Sequence, residues 1–151
     1  MVPHPGHSDT LTQGIRVRVG GQLVAQQSDP SLGRWTYAYR VILDNLGEER
    51  ARLRSRHWII TDAEGETREV RGSGVVGDHP ELGPGETYEY VSGVQLHTEW
   101  GTMEGSYQFE RPDGSRFEAR IGRFFLAPNA APLSLLDEED EEVERIGRRE
   151  A

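Results

Sequence analysis

Hydrophobic and polar residues alternate along much of this chain with a period of two. Trp35, Tyr37, Tyr39, Val41 and Leu43 alternate with Thr36, Ala38, Arg40, Ile42 and Asp44, the spacing of a half-buried strand. Leu53, Ser55, His57 and Ile59 alternate with Arg52, Arg54, Arg56 and Trp58; three arginines on one side make the Leu53 side the expected core face. Ile15, Val17 and Val19 alternate with Arg16 and Arg18, and Gly20-Gly21 interrupts the run before Leu23–Gln27, which reads equally as a hairpin or as one bent edge strand. Tyr88, Tyr90 and Ser92 repeat the pattern after Gly83-Pro84-Gly85. Pro112-Asp113-Gly114 is the clearest turn, with Pro presetting φ and Gly taking the left-handed position, and it joins Met103–Glu110 to Arg116–Leu126. In the second arm Phe117, Ala119 and Ile121 share one parity but Phe124 and Leu126 fall on the other. A bulge at Gly122 accounts for the change. Asn45-Leu46-Gly47 and Asp62-Ala63-Glu64-Gly65 read as hairpin-like connections needing Gly at positive φ. About seven strands and no convincing helix predict an all-β, antiparallel sandwich of immunoglobulin or fibronectin type III kind.

Organisation follows from where this patterning starts and stops. Residues 1–11 read as a flexible leading segment and 12–132 as the sandwich. Residues 133–151 read as an acidic tail, a frayed helix or disordered, with eight acidic residues against Arg145, Arg148 and Arg149 from Asp137 onward. The net charge of −9 disfavours general nucleic-acid binding, which rests on cationic contacts to phosphate. No apolar stretch approaches the roughly 20 residues of a membrane helix and no signal pattern opens the chain, so a cytoplasmic location without a membrane partner is expected. Cysteine and lysine are both absent from the 151 residues. That excludes disulfides, thiolate metal sites, Cys nucleophiles, Schiff-base chemistry and a phosphate-binding loop lysine.

Several stretches resemble one known family. They are Ser55-Arg56-His57-Trp58-Ile59-Ile60-Thr61-Asp62 with Gly65, and Val70-Arg71-Gly72-Ser73-Gly74-Val75-Val76-Gly77 running on through Pro80, Leu82, Pro84, Gly85 and Glu86. Ser92-Gly93 with Leu96, Thr98, Gly101, Met103, Gly105, Ser106 and Tyr107 is a further one, as is Ser28-Asp29-Pro30. Together they resemble the ApaG family over roughly residues 12 to 127. The resemblance implies a fibronectin-like sandwich and a genetic link to cobalt resistance and magnesium efflux. It also implies gene neighbourhood with a diadenosine tetraphosphate hydrolase, and kinship with domains of F-box and DNA-polymerase-interacting proteins, where binding is the natural role. It supplies no catalytic residues. Val94-Gln95 stands where many members have Cys-Pro, and Glu99 where a proline is common; both departures are expected in one loop.

Candidate chemistry is sparse. Gly72, Gly74 and Gly77 match a GxGxxG spacing, but Pro80 and the Gly83-Pro84-Gly85 turn leave no helix whose N-terminus could meet a pyrophosphate. Two roles remain for the segment: backbone geometry, or an anion cup formed by Arg71, Gly72, Ser73, Gly74 and Gly77 for a phosphate or nucleotide. His57, His79 and His97 lack metal-ligand spacing, so no metal and no cofactor are expected. His57 is expected to be a hydrogen-bonded structural residue. Ser73 lies outside a nucleophile elbow. Most aromatics sit at strand spacing and are expected in the core; Trp100, beside Gly101 in a loop, is the expected exposed anchor for a partner. The combined expectation is a non-catalytic binding module for a protein partner, monomeric or homodimeric. Its rival is a phosphate- or nucleotide-binding protein, with or without metal-dependent hydrolysis, that uses the glycine-rich segment.

Overall fold

The computed structural model describes residues 6–130. The expected acidic tail and the first five residues lie outside this range. Among the described residues nine strands form two antiparallel sheets: β1 (His7–Thr12), β2 (Ile15–Leu23), β3 (Trp35–Asn45), β4 (Ala51–Asp62), β5 (Thr67–Ser73), β6 (Glu81–Leu82), β7 (Thr87–Leu96), β8 (Gly101–Glu110) and β9 (Arg116–Leu126). The first sheet has the order β1-β2-β3-β7, and the second β5-β4-β8-β9 with the short β6 also on β4. Two single 3-10 turns, Ala25–Gln27 and Pro30–Leu32, lie between β2 and β3. Facing side chains of both sheets fill one core: Ile15, Val17 and Val19, then Tyr37, Tyr39, Val41 and Leu43 from the first sheet, against Leu53, Trp58, Ile60, Met103, Tyr107, Phe109 and Phe124 from the second. This is the two-layer packing expected when strands carry one apolar face each.

The parity break at Gly122 is real. Met103 pairs with Phe124 and Gly105 with Ile121, so β9 spends three residues against two of β8. A second bulge lies where the alternation concealed it. Leu53 pairs with Phe109 but Ser55 with Gln108, which leaves Arg54 as the extra residue. The consequence is a correction: Leu53, Trp58 and Ile60 share the core face, while Ser55, His57 and Ile59 turn outward. The expected faces of β4 therefore hold only as far as Leu53, because the added residue flips every side chain beyond it.

Three other expectations change. Residues 7–11, read as part of a flexible segment, belong with Thr12 to β1, paired with β2 from His7↔Gly20 to Thr12↔Ile15; β2 itself continues unbroken through Gly20-Gly21. Strand β3 is buried on both faces rather than one. It is central in its sheet, Ala38 packs with Val24 and Val91, and Arg40 lies under cover with Glu89 3.8 Å away. The Asn45-Leu46-Gly47 segment joins strands of different sheets, so it is no hairpin, and its glycine has no positive φ. The buried Asn45 amide instead ties the crossing together, donating to the Glu49 and Leu82 carbonyls at 2.8 and 2.9 Å while its Oδ1 accepts from the Gly47 N–H. Gly65, Gly85 and Gly114 do take positive φ, as their turns require.

The two long sides of the sandwich differ. On one, the Ser8 and Thr10 hydroxyls donate to the Gly122 and Arg120 carbonyls at 2.6 and 2.5 Å, and the Arg120 N–H donates to Thr12 Oγ1 at 3.2 Å. Edge strand β1 thereby covers edge strand β9 through alternate side chains. On the other side β5 and β7 are the outermost strands, bridged where Arg68 donates to the Gln95 carbonyl at 2.7 Å.

Candidate functional site

The glycine-rich segment begins as strand and ends as a tight reversal. Arg71, Gly72 and Ser73 close β5, and Ser73 pairs with Ser55 of β4. Val75 and Asp78 then bond each other twice, Val75 N–H to the Asp78 carbonyl at 2.9 Å and Asp78 N–H to the Val75 carbonyl at 2.8 Å. The two residues between them have positive φ, 42° at Val76 and 85° at Gly77, the pattern of a type I′ turn. Gly74 also lies at positive φ, 63°, and its N–H donates to the Arg54 carbonyl at 2.9 Å. A Cβ at Gly74 would run into the Asp78 carbonyl oxygen, and one at Gly72 would sit 2.6 Å from the Arg56 guanidinium. Arg56 fills that space because it donates to the Ser73 and Gly74 carbonyls at 3.3 and 2.9 Å. Val75 is wholly buried in the core, and Tyr88 donates to Asp78 at 2.9 Å. The turn is held from several directions.

This geometry bears on the anion reading. An amide cup needs several free N–H groups converging on one point. Here the amides of Gly74, Val75 and Asp78 are engaged within the protein. No helix follows the turn among the described residues. What the segment does border is a polar trough of about 470 Å³ on the outer face of the second sheet. Arg71, Gly72 and Ser73 form one rim, with His57 and Ser106 in the floor and Arg116 opposite. His57 Nε2 lies 2.6 Å from Glu69 Oε1, so His57 is hydrogen-bonded as expected. That contact, aided by Arg71, holds the Glu69 carboxyl below the usual carboxylate range.

Sequence reasoning missed two contacts here, Ser73 with His79 and Tyr90 with Tyr107. Ser73 Oγ lies 2.8 Å from His79 Nε2, a contact created by the reversal that no linear motif announces. Beneath the turn, Tyr39, Tyr90 and Tyr107 are buried, with the Tyr90 and Tyr107 hydroxyls 2.5 Å apart. Burial pushes all three phenols up, and the positive charge of Arg56 opposes this.

Trp100 occupies the β7–β8 loop at the opposite end of the second sheet's outer face. It is 42% exposed and packs on Phe125 at 6.0 Å between ring centroids. Phe125 points outward because of the β9 bulge, so its partnership with Trp100 is readable only once that bulge is placed. Ala127 and Pro128 wall the same recess of about 280 Å³, with Glu99 and Asn129 at its edge. The loop is fixed in place: Tyr37 donates to the Glu99 carbonyl at 2.6 Å, and the Ala63 N–H donates to Thr98 Oγ1 at 3.0 Å. The two departures from the family pattern do not share this loop. Val94 and Gln95 belong to β7, Val94 fully buried, and only Glu99 lies in the loop. Trp100 and the glycine-rich segment do not meet in one site. Among the described residues no three His, Asp or Glu side chains gather as a metal-holding group, and no helix is long and apolar enough to cross a membrane.

A two-sheet fibronectin-like sandwich with a rigid glycine turn at β5 and an aromatic loop before β8 defines a small β-sandwich domain class, and comparison with known proteins narrows it. The family description "ApaG domain" matches residues 25–111. Protein ApaG of Thiobacillus denitrificans is 51% identical over 113 residues, covering 75% of this chain and 89% of that protein. Protein ApaG of Dechloromonas aromatica is 50% identical over 120 residues, 80% and 94% of the two chains. Among solved structures, an ApaA protein from Bordetella pertussis superposes with a TM-score of 0.74 at 44% identity, covering 85% of this chain and all of that one. The C-terminal domain of wzt, at 11% identity and a TM-score of 0.50, shares the fold alone. The chain belongs to the ApaG family.

Proposed function

We propose that this protein is a non-catalytic binding module that engages a partner protein through the Trp100 loop. The carrying observation is a large aromatic side chain, partly exposed on a loop tied at both flanks, packed at a tilt against a second aromatic and walled by Ala127 and Pro128. Rigid aromatic anchors over apolar recesses concentrate binding energy because little ordering entropy remains to be lost on contact. Under this reading the family's link to cobalt resistance and magnesium efflux acts through the partner. A photo-crosslinking residue placed at Glu99 tests the site in native lysate. Specific captured proteins should disappear when Trp100→Ala is added, with the melting temperature unchanged. Captures that survive that substitution would sink the Trp100 reading.

A second reading rests on the polar trough, where Arg71, Gly72 and Ser73 face His57 and Arg116; a phosphate or nucleotide is its ligand class. Native-state binding must raise stability in proportion to ligand concentration. A thermal-shift titration with pyrophosphate and with ATP, each with and without Mg²⁺, decides it: a flat response removes this reading.

A further inference from the structure

We infer that β5 is a self-recognition edge, pairing with β5 of a second copy of this chain across a two-fold axis centred on Val70. Strand β5 ends the order of the second sheet, with β4 on one side and no strand of the described residues on the other. It is the most exposed of the long strands, only Val70 and Gly72 being partly covered, and it carries neither proline nor bulge. Edges of this kind offer a row of backbone donors and acceptors to any extended segment, so side chains must decide which segment is accepted.

The side chains of β5 select one register. Glu69 and Arg71 lie on the same outer face, opposite Ile59 and His57 of β4. In an antiparallel pair centred on Val70, Glu69 of each copy stands opposite Arg71 of the other, giving two symmetry-related ion pairs. Thr67 then stands opposite Ser73, and on the inner face Val70 meets Val70 while Arg68 meets the side-chain-free Gly72. A two-residue slip that moves the axis to Glu69 sets Glu69 against Glu69; one that moves it to Arg71 sets Arg71 against Arg71. Like charges directly opposite are destabilising. Slips by a single residue set the outer face of one copy against the inner face of the other and lose both ion pairs. A parallel arrangement faces each charge with its own kind. The Arg68 guanidinium, which could otherwise crowd the axis, is drawn away to the Gln95 carbonyl. The contact is isologous and closes on itself. The opposite edge of the second sheet, β9, does not propagate the pairing, because it is already covered by the hydroxyls of β1.

A single strand pair is smaller than the interfaces of stable dimers, so the association is reversible with a dissociation constant on the order of 10⁻⁴ M. The inference is independent of the Trp100 reading, and Trp100→Ala should leave it untouched.

The absence of cysteine makes the test clean. Under mild oxidation Val70→Cys should give a disulfide-linked dimer, since residues on the axis lie within bridging distance. Thr67→Cys should not, because its counterpart lies several residues along the partner strand. Sedimentation velocity of the cysteine-free protein from about 10 µM to about 1 mM should show a monomer–dimer equilibrium. Glu69→Arg and Arg71→Glu singly should each weaken it roughly tenfold or more, and the two together should restore it to within about threefold. A protein that stays monomeric throughout, equal crosslinking at both cysteine positions, or a double variant no better than the singles would each overturn the inference. Thermal denaturation of every variant establishes that it is folded.

Discussion

Gly74 and Gly77 lie three residues apart, both at positive φ, yet a methyl group would meet different surroundings at each. Alanine at Gly77, φ 85°, has nothing within 4 Å of its Cβ. Its cost is the backbone term alone, about 1 kcal/mol. Alanine at Gly74, φ 63°, has the same backbone term and a Cβ pressed against the Asp78 carbonyl oxygen. That atom is backbone and itself accepts from the Val75 N–H, so it cannot swing aside as a side chain would. Overpacking of this kind adds about 1–3 kcal/mol, giving about 3 kcal/mol for Gly74→Ala. At about 4 °C per kcal/mol for a domain of this size, melting should fall by roughly 12 °C for Gly74→Ala and roughly 4 °C for Gly77→Ala. Urea unfolding should show the midpoint moving while the m-value stays constant. Running both variants with and without pyrophosphate makes the comparison decisive. Equal losses at the two positions would show that the Asp78 contact is relieved at no cost. An unchanged Gly74→Ala apo protein that had lost a pyrophosphate-induced stabilisation would refute the geometric role altogether.

Other outcomes follow from the same structure. Asp9, Glu69 and Asp113 all have carboxyls held below their ordinary values, chiefly by hydrogen bonds to Arg16, His57 and Ser115 respectively. Their contribution is therefore fully present above the unfolded-state carboxylate range near pH 4 and is lost as pH falls below it. Urea midpoints from pH 6 to pH 3 should drop, and His57→Gln should flatten part of that drop. On the alkaline side, burial and the Asp78 contact push the Tyr88 phenol up to about 12, and Tyr39, Tyr90 and Tyr107 are also raised. Stability from these groups is complete below pH 10 and is lost above it. Absorbance titration of phenolate should show these tyrosines ionising late and together with unfolding. Gly105→Ala drives a Cβ into the His57 carbonyl at the β9 bulge's partner strand and should cost about 2 kcal/mol or more by chemical denaturation.

How much of this was legible in the sequence depended on what each strand packs against. The alternation of β2 and β3 was readable because Ile15, Val17 and Val19 and then Tyr37, Tyr39, Val41 and Leu43 fall on one parity, and the β9 bulge was readable because Gly122 breaks an aromatic parity. The bulge in β4 was not. Arg52, Arg54 and Arg56 recur with an unbroken period of two, and only the pairing with β8 shows that Arg54 is extra. Strand β1 escaped notice because its inward residues, Ser8, Thr10 and Thr12, contribute hydroxyls rather than apolar surface. At the candidate sites, the glycine turn and the exposure of Trp100 could be anticipated from local chemistry. Phe125 beside Trp100 and His79 beside Ser73 could not, since the first depends on the β8–β9 register that brings Phe125 next to the β7–β8 loop and the second on the reversal after β5.

The hydroxyl seam between β1 and β9 also bears on how the chain stays dispersed while it is being synthesised. β9 packs Phe117, Ile121, Phe124, Phe125 and Leu126 into eleven residues, an edge strand that would invite pairing by another chain if left open. It emerges from the ribosome roughly a hundred residues after β1. The β1–β2 hairpin, closed by Gln13-Gly14 with positive φ at both residues, is local and can form on a microsecond timescale, before β9 is synthesised. An apolar cover would itself have been a hazard to the nascent chain during that wait. A row of serine and threonine is content in water beforehand and finds the β9 carbonyls afterward, which gives a physical reason for the first strand of the sandwich being written in polar residues.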